Sequence, residues 1–264
     1  MKILVCIKQV PESYNVRLDP VTKTIQRDQA KAILNPFDHF ALEEALRIKE
    51  RCGGTVTCIT MGSPAAEAVI RDAIAMGADD GCLLSDRKMA GADTLATAYT
   101  LACGIRTLGT FDLIICGKMA TDGDTAQVPP MLAEMLVIPC MTDVCSVISC
   151  ENGRLQCQRM HDDGYGNWEC SVPALITVTK ECNFPRLMSI AGMLRAHDAQ
   201  IRRLEAADLP MADLSKLGLG GSATQVKRTF VPVRQVETRM LSGTIAEQAA
   251  EAARVLLEKG RDDL

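Results

Sequence analysis

Lys2-Ile3-Leu4-Val5-Cys6-Ile7-Lys8-Gln9-Val10 opens the chain as a nearly unbroken apolar, β-branched run, the pattern of a strand buried on both faces. Such a strand needs helices on both sides, and the sequence supplies them by alternation. Asn35-Pro36 offers a helix cap with proline at the first helical position, and Phe37, Ala41, Ala45 and Ile48 follow at helical spacing until Gly53-Gly54. Thr55 to Met61 reads as a second strand. Ser63-Pro64 repeats the capped start, and Ala66, Val69, Ile70, Ala73 and Ile74 make one apolar helical face. Cys82 to Ser85 is a short third strand. Asp93 caps a helix whose face holds Ala98, Leu101, Ile105 and Leu108, and Leu113 to Cys116 is a fourth strand. Four strands alternating with helices predict an α/β fold with a parallel sheet and right-handed crossovers.

The pattern changes near residue 140. Thr142 to Ser149 and Arg154 to Met160 flank Asn152-Gly153, a strong hairpin signal, and Asp163-Gly164-Tyr165-Gly166-Asn167 marks a further turn before Ala174 to Thr179. An antiparallel hairpin extension of the parallel sheet is expected. From Pro185 onward alternation is lost, with Pro210, Gly218-Leu219-Gly220-Gly221 and Pro232. This stretch reads as an extended C-terminal arm ending in a helix from about Thr244 to Lys259, with Ile245, Ala249, Ala252 and Leu256 on one face. Residues 1–185 are thus expected to form the α/β domain, and 186–264 a docking loop, arm and terminal helix that lie on a partner.

Composition excludes several classes. At 264 residues, one to two domains are expected from roughly 150 residues per domain, and the chain is long enough for a core without staples. Hydrophobic residues are 47% and the net charge is −4, which fits a globular protein and disfavours long nucleic acid. Aromatic residues are too few, with Trp 1, Tyr 3 and Phe 5, for base-stacking platforms. The twelve cysteines sit mostly inside apolar runs with no CxxC, so small core thiols in a reducing cytoplasm are expected and a metal site has weak support. No stretch approaches about 18 uncharged apolar residues, so no membrane insertion is expected. The run Ile3 to Ile7, closed by Lys8, is too short for a signal segment, so the expected location is the cytoplasm.

Ligands of open parallel sheets sit beyond the strands' carboxyl ends. Three loops qualify, after Gln9 and Val10, at Met61-Gly62-Ser63, and at Gly117-Lys118-Met119-Ala120-Thr121-Asp122-Gly123-Asp124-Thr125-Ala126-Gln127-Val128. The prolines at 129 and 130 place the next helix start near Pro129 and leave a loop rich in free N–H donors. Gly123 permits close approach of a phosphate and Thr125 adds a hydroxyl, whereas Asp122 and Asp124 would repel a phosphate and are expected to cap donors or meet sugar hydroxyls. A solvated turn explains the same spacing. Thr94 and Thr97, about 60° apart on the third helix, either meet a ligand ring or bond back to their own helix. There is no GxGxxG after the first strand and no GxxxxGK[ST], and His39, His161 and His197 build no triad or HExxH. No catalytic side chain is expected.

Taken together, several segments resemble the beta subunit of electron-transfer flavoproteins. They are Val5-Cys6-Ile7-Lys8-Gln9-Val10-Pro11, Leu34-Asn35-Pro36-Phe37-Asp38, Ala41 to Glu50, Ala75-Met76-Gly77-Ala78-Asp79, the 117–130 loop and Asn183-Phe184-Pro185-Arg186. The resemblance implies a Rossmann-like domain of adenine-nucleotide-hydrolase-like topology, paired with an alpha subunit that carries the electron-transferring FAD. Ordinary members hold a structural AMP in this subunit. Bifurcating members hold a second FAD, which takes hydride from NADH and splits the electrons between a high-potential and a low-potential route. Asp122 to Val128 and Ala92-Asp93-Thr94-Leu95-Ala96-Thr97-Ala98-Tyr99 look like the FAD-binding, bifurcating pattern, while Pro129 stands where Gly is expected and removes one N–H donor. By the same resemblance, backbone at Cys6, Asn35 and Met61 meets the adenosine half of the cofactor. Gly117 and the 122–128 loop meet its phosphates, and Thr94 with Thr97 lies near the isoalloxazine. Ile190 matches an aliphatic anchor for the partner dehydrogenase, within an apolar segment that includes Leu187, Met188, Met193 and Leu194. From the residues alone that segment is either an interface or a short core-covering helix. Implied partners are the alpha subunit, an FAD-dependent acyl-CoA or 2-hydroxy acid dehydrogenase, and a ferredoxin or flavodoxin as low-potential acceptor. Two other classes fit the topology, a structural AMP-binding subunit and a stand-alone adenylate-binding enzyme or stress-type sensor. The second would ordinarily carry an SGGxDS or HIGH-like motif, and neither occurs.

Overall fold

The computed structural model describes residues 1–12, 32–228, 238 and 240–262. Its contacts divide into two units, Met1–Gln225 and Val226–Leu264. The first unit holds β1 (Lys2–Cys6), β2 (Gln9–Pro11), β3 (Ala32–Leu34), α1 (Pro36–Cys52), β4 (Thr55–Met61), α2 (Glu67–Met76), β5 (Asp80–Leu84), α3 (Thr94–Leu108), β6 (Leu113–Gly117) and α4 (Val128–Leu136). It continues with β7 (Cys140–Glu151), β8 (Arg154–His161), β9 (Gly164–Ser171), β10 (Ala174–Val178), α5 (Ile190–Asp198) and β11 (Arg202–Leu204). The second unit holds α6 (Ile245–Asp262), whose Ile245 and Leu256 are exposed. Pro232, part of the expected arm, lies outside the described residues.

The main sheet runs β11-β5-β4-β1-β6-β10-β7-β8-β9. Its first seven strands pair in parallel, and β8 and β9 add the antiparallel extension. Alternating residues of the central strands enter two separate cores, as expected of strands covered on both faces. Ile3, Val5, Ile115 and Ile176 pack with α1 and α2 residues such as Leu42, Ile70 and Ile74. Leu4, Ile114 and Leu175 pack with Leu101, Ile105 and Leu132 of α3 and α4. The hairpin turn at Asn152-Gly153 has φ 52° and 75°, the doubly positive pair that matches strand twist in a two-residue loop.

Three expectations are corrected. The opening run is not one strand: Lys8 donates its N–H to Asp38 Oδ2 at 2.7 Å, and the chain then pairs β2 antiparallel with β3. The turn expected at 163–167 is tighter, at Asp162-Asp163, because Gly164 to Asn167 already pair with β8. Residues 186–225 are not an arm beyond the domain. Helix α5 packs on α2, β11 adds a parallel strand beside β5, and Leu204, Ala206, Leu209 and Leu217 enter the second core. Polar bonds as well as apolar contacts draw this segment in, including Arg195 Nη2 to Ile74 O at 2.8 Å and Ala206 N to Asp86 Oδ2 at 3.0 Å.

Candidate functional site

A cavity of about 750 Å³ opens beyond the carboxyl ends of β1, β4, β5 and β6. Cys6, Asn35, Met61 and Thr97 line it, as do Gly117 and the run Gly123 to Pro129. Asp122 and Thr94 are not among its lining residues. The Asp122 carboxylate instead accepts from Lys8 Nζ at 2.7 and 2.8 Å, and the Thr94 hydroxyl donates to Gln127 Oε1 at 2.9 Å. The Lys8–Asp122 pair is partly solvated and worth little in stability, but it ties the end of β1 to the long loop.

Asn35 stands at the N-cap of α1 without capping it. Its amide reaches across to the loop, donating to Met119 O at 2.9 Å and accepting from Thr121 N at 3.1 Å. Within the loop, Asp124 N bonds Ala120 O at 2.8 Å, and Asp124 and Ala126 both take φ 53°. A left-handed alanine costs about 1 kcal/mol and persists only where its surroundings impose it. Ala126 is followed by a right-handed Gln127, an alternation of left- and right-handed backbone of the kind that forms anion-binding concavities. The N–H groups of Thr125, Ala126 and Gln127 have no acceptor among the described residues. Helix α4 begins next, so Pro129 falls in the first turn, where an N–H has no intrahelical use. A Cβ built at Gly123 meets nothing within 4 Å. Free amides, a helix N-terminus and open space at Gly123 fit a phosphorylated ligand.

Asp38 holds the cleft together from below. It is 5% exposed, and its carboxylate accepts from the backbone of Lys8 and of Gly117 as well as from the Asn35 side chain. Burial pushes its pKa up to about 7 in spite of those bonds. The folded state therefore holds a proton between pH 3.8 and about 7 that the unfolded chain has released, so stability falls as pH rises through that window and levels above it. Relative to Asp38→Asn, the wild type is expected to lose roughly 3 kcal/mol between pH 5 and 8, read by urea unfolding at each pH. Parallel profiles for the two proteins would show that Asp38 does not titrate there. Gly117 is fixed by the same carboxylate, since a Cβ there would lie 2.5 Å from Asp38 Oδ1 and 2.7 Å from Phe37 C. Gly117→Ala is expected to destabilise by about 1–3 kcal/mol. An unshifted unfolding midpoint would count against this packing.

The apolar segment after residue 185 leads through Leu187 and Met188 into α5, a helix with two faces. Gly192 and Ala196 are buried against α2, while Leu187, Ile190, Met193 and Leu194 are 91%, 81%, 55% and 65% exposed. Ser189 caps α5 through Gly192 N at 2.9 Å, and Arg186 anchors the approach on Glu43, with Nε to Oε2 at 2.9 Å. One face of α5 thus covers α2, as the reading of a core-covering helix expected, and the other is exposed.

The sequence reading did not single out Lys8, Asp38, Ser85 or Arg87, all of which line the cavity. The rule that ligands meet strand ends applies equally to the loop after β5, and it would have found Ser85 and Arg87. Asp38 carries no comparable signal, because its role depends on β1 and β6 lying side by side. The twelve cysteines are free thiols, seven of them buried, and burial pushes Cys82 and Cys150 up to about 11 and Cys157 to about 12. Such thiols pack and do not react. Among the described residues no cluster of three or more His, Cys, Asp or Glu could hold a metal ion, and no helix is long and apolar enough to cross a membrane.

A family model described as the electron transfer flavoprotein domain matches residues 22–209. The chain is 46% identical over 247 residues to the electron transfer flavoprotein subunit beta of Thermoanaerobacterium thermosaccharolyticum, covering 94% of both chains. The chain belongs to the electron transfer flavoprotein beta-subunit family. It is also similar to FixA of Bradyrhizobium diazoefficiens, 44% identical over 96% of this chain and 89% of that protein. The caffeyl-CoA reductase–Etf complex subunit CarD of Acetobacterium woodii is 43% identical over 95% of each. In this beta-subunit family member the cleft at the strand ends and the open apolar face of α5 are separate features.

Proposed function

We propose that this chain is the FAD-binding beta subunit of a heterodimeric electron-transfer flavoprotein, taking electrons from NADH and passing them to FAD on an alpha subunit. From there one route leads to an FAD-dependent acyl-CoA or 2-hydroxy acid dehydrogenase, and a second, low-potential route leads to a ferredoxin or flavodoxin. The observation that carries the reading is the extent of the cleft. At about 750 Å³ it lies toward the upper part of the roughly 300–1,000 Å³ range of small-molecule sites, and it continues past the phosphate loop to Thr97, Met89 and Arg87. A mononucleotide uses only the end formed by Cys6, Asn35, Met61 and the loop. A dinucleotide uses both ends.

Bound FAD supplies the chemistry, accepting a hydride as an electron pair and releasing electrons singly. The chain's residues bind and orient it. Thr125, Ala126 and Gln127 offer N–H groups to the phosphates, and Gly123 leaves room for their approach. Asn35 and Asp38 hold the two loops at the separation the ligand needs. Thr97 faces the remainder of the cofactor, while Thr94 acts through Gln127 and fixes the loop. Apart from the side chains that hold the cofactor, no acid or base is required, because hydride transfer needs only a nicotinamide stacked on an accessible ring face. Anaerobic titration of the αβ complex with NADH tests the reading: bleaching that corresponds to more than one flavin per heterodimer is expected. No bleaching by NADH in a complex that dithionite reduces fully would refute it.

A further inference from the structure

We propose that Ser85 and Arg87 form the flavin-ring end of the cleft, Ser85 hydrogen-bonding the polar edge of the ring and Arg87 favouring its reduced form. The inference rests on the reading that FAD occupies this cleft.

Ser85 follows β5 directly and is 3% exposed. Its backbone is fixed by a bond from Ser85 N to Leu204 O at 3.0 Å, the residue lines the cavity, and its hydroxyl has no hydrogen-bond partner among the described residues. A hydroxyl on a cavity-lining residue with no protein partner is available to a ligand or an ordered water. Arg87 lines the same end, and its guanidinium has no ion pair or hydrogen bond among the described residues. The neighbouring carboxylate makes no ion pair with it: Asp86 Oδ1 accepts from Lys88 N and Oδ2 from Ala206 N, each at 3.0 Å. Those bonds also hold the Asp86 carboxyl below its usual range. Arg203, the other cation at this end, has Glu205 at 4.0 Å.

Position decides what this end serves. The phosphate loop follows β6, and β4 and β1 lie between β6 and β5. Three strand spacings put the ends of β6 and β5 about 14 Å apart, so Ser85 and Arg87 stand across the cleft from Gly117 and the start of the loop that serves the phosphates. They meet the part of the ligand that continues beyond them. For FAD that part is the isoalloxazine, whose N1, C2=O, N3–H and C4=O edge carries both acceptors and a donor for one hydroxyl. Reduction by hydride brings two electrons and one proton, so the ring gains negative charge. A cation beside it stabilises the reduced form over the oxidised one and raises the potential.

The test uses the αβ complex loaded with FAD, as wild type, Ser85→Ala, Arg87→Gln and Arg87→Lys. Ser85→Ala is expected to weaken FAD retention on dialysis about fivefold, the effect of one lost neutral hydrogen bond. In a spectroelectrochemical titration, Arg87→Gln is expected to lower the reduced-to-oxidised ratio of this flavin about tenfold at fixed potential. That is a negative shift of about 30 mV for a two-electron couple, largely restored by Arg87→Lys. Two FAD per heterodimer with unchanged retention in Ser85→Ala and an unchanged potential in Arg87→Gln would overturn the inference and leave the reading of the cleft standing. One FAD plus one AMP in the wild type would remove both.

Discussion

Replacing Gly123 by Val is expected to release the nucleotide from this subunit while the chain keeps its fold. In the structure a Cβ at this position meets nothing within 4 Å, so the new side chain strains no protein neighbour. It projects from a loop that lines the cavity, next to the amides that the phosphates are proposed to meet. Forcing a side chain into an occupied, well-fitted site costs about 1–3 kcal/mol, which is about 5- to 150-fold in affinity. Nucleotide content of the purified αβ complex, measured beside its circular dichroism, checks this. A folded Gly123→Val complex with full nucleotide content would show that the loop does not hold phosphate.

Ile190→Ala is expected to uncouple the complex from its dehydrogenase and leave the flavins in place. Ile190 is 81% exposed at the start of α5, on the face opposite the buried Gly192 and Ala196. It makes no contribution to the core, so its removal leaves the helix seated on α2. Exposed aliphatic anchors that dominate an interface contribute about 2 kcal/mol or more, so electron delivery to an acyl-CoA dehydrogenase partner should weaken roughly thirtyfold or more in apparent affinity. The flavin content and the NADH reduction of the complex should not change. Loss of flavin instead would mark Ile190 as structural.

The parallel half of the fold was legible because its strands are buried on both faces and its helices are bounded by cap and proline signals. Thr55 to Met61 matches β4, and Asp93 caps α3 by accepting from Ala96 N at 3.0 Å. The return of residues 190–217 to the domain was not legible, since it depends on pairing β11 with β5 and on Arg195 reaching the end of α2, contacts that span more than a hundred residues. The long loop after β6 was recognisable by composition, but its backbone geometry was not. Left-handed backbone at Asp124 and Ala126 has no residue-type signal, and the Asn35 amide, assigned to a helix cap from the sequence, instead bonds the loop at Met119 and Thr121. Asp122 and Thr94, which the resemblance implied for the site, hydrogen-bond Lys8 and Gln127, contacts that no spacing reveals.

The identity of the nucleotide in this cleft tests the account most directly. Acid extraction and chromatography of the αβ complex, reconstituted with excess FAD and freed of unbound cofactor, counts both nucleotides at once. Two FAD per heterodimer, with no AMP, is the expected result. One FAD and one AMP, in a complex whose flavin NADH does not reduce, would contradict it and leave an ordinary structural AMP site.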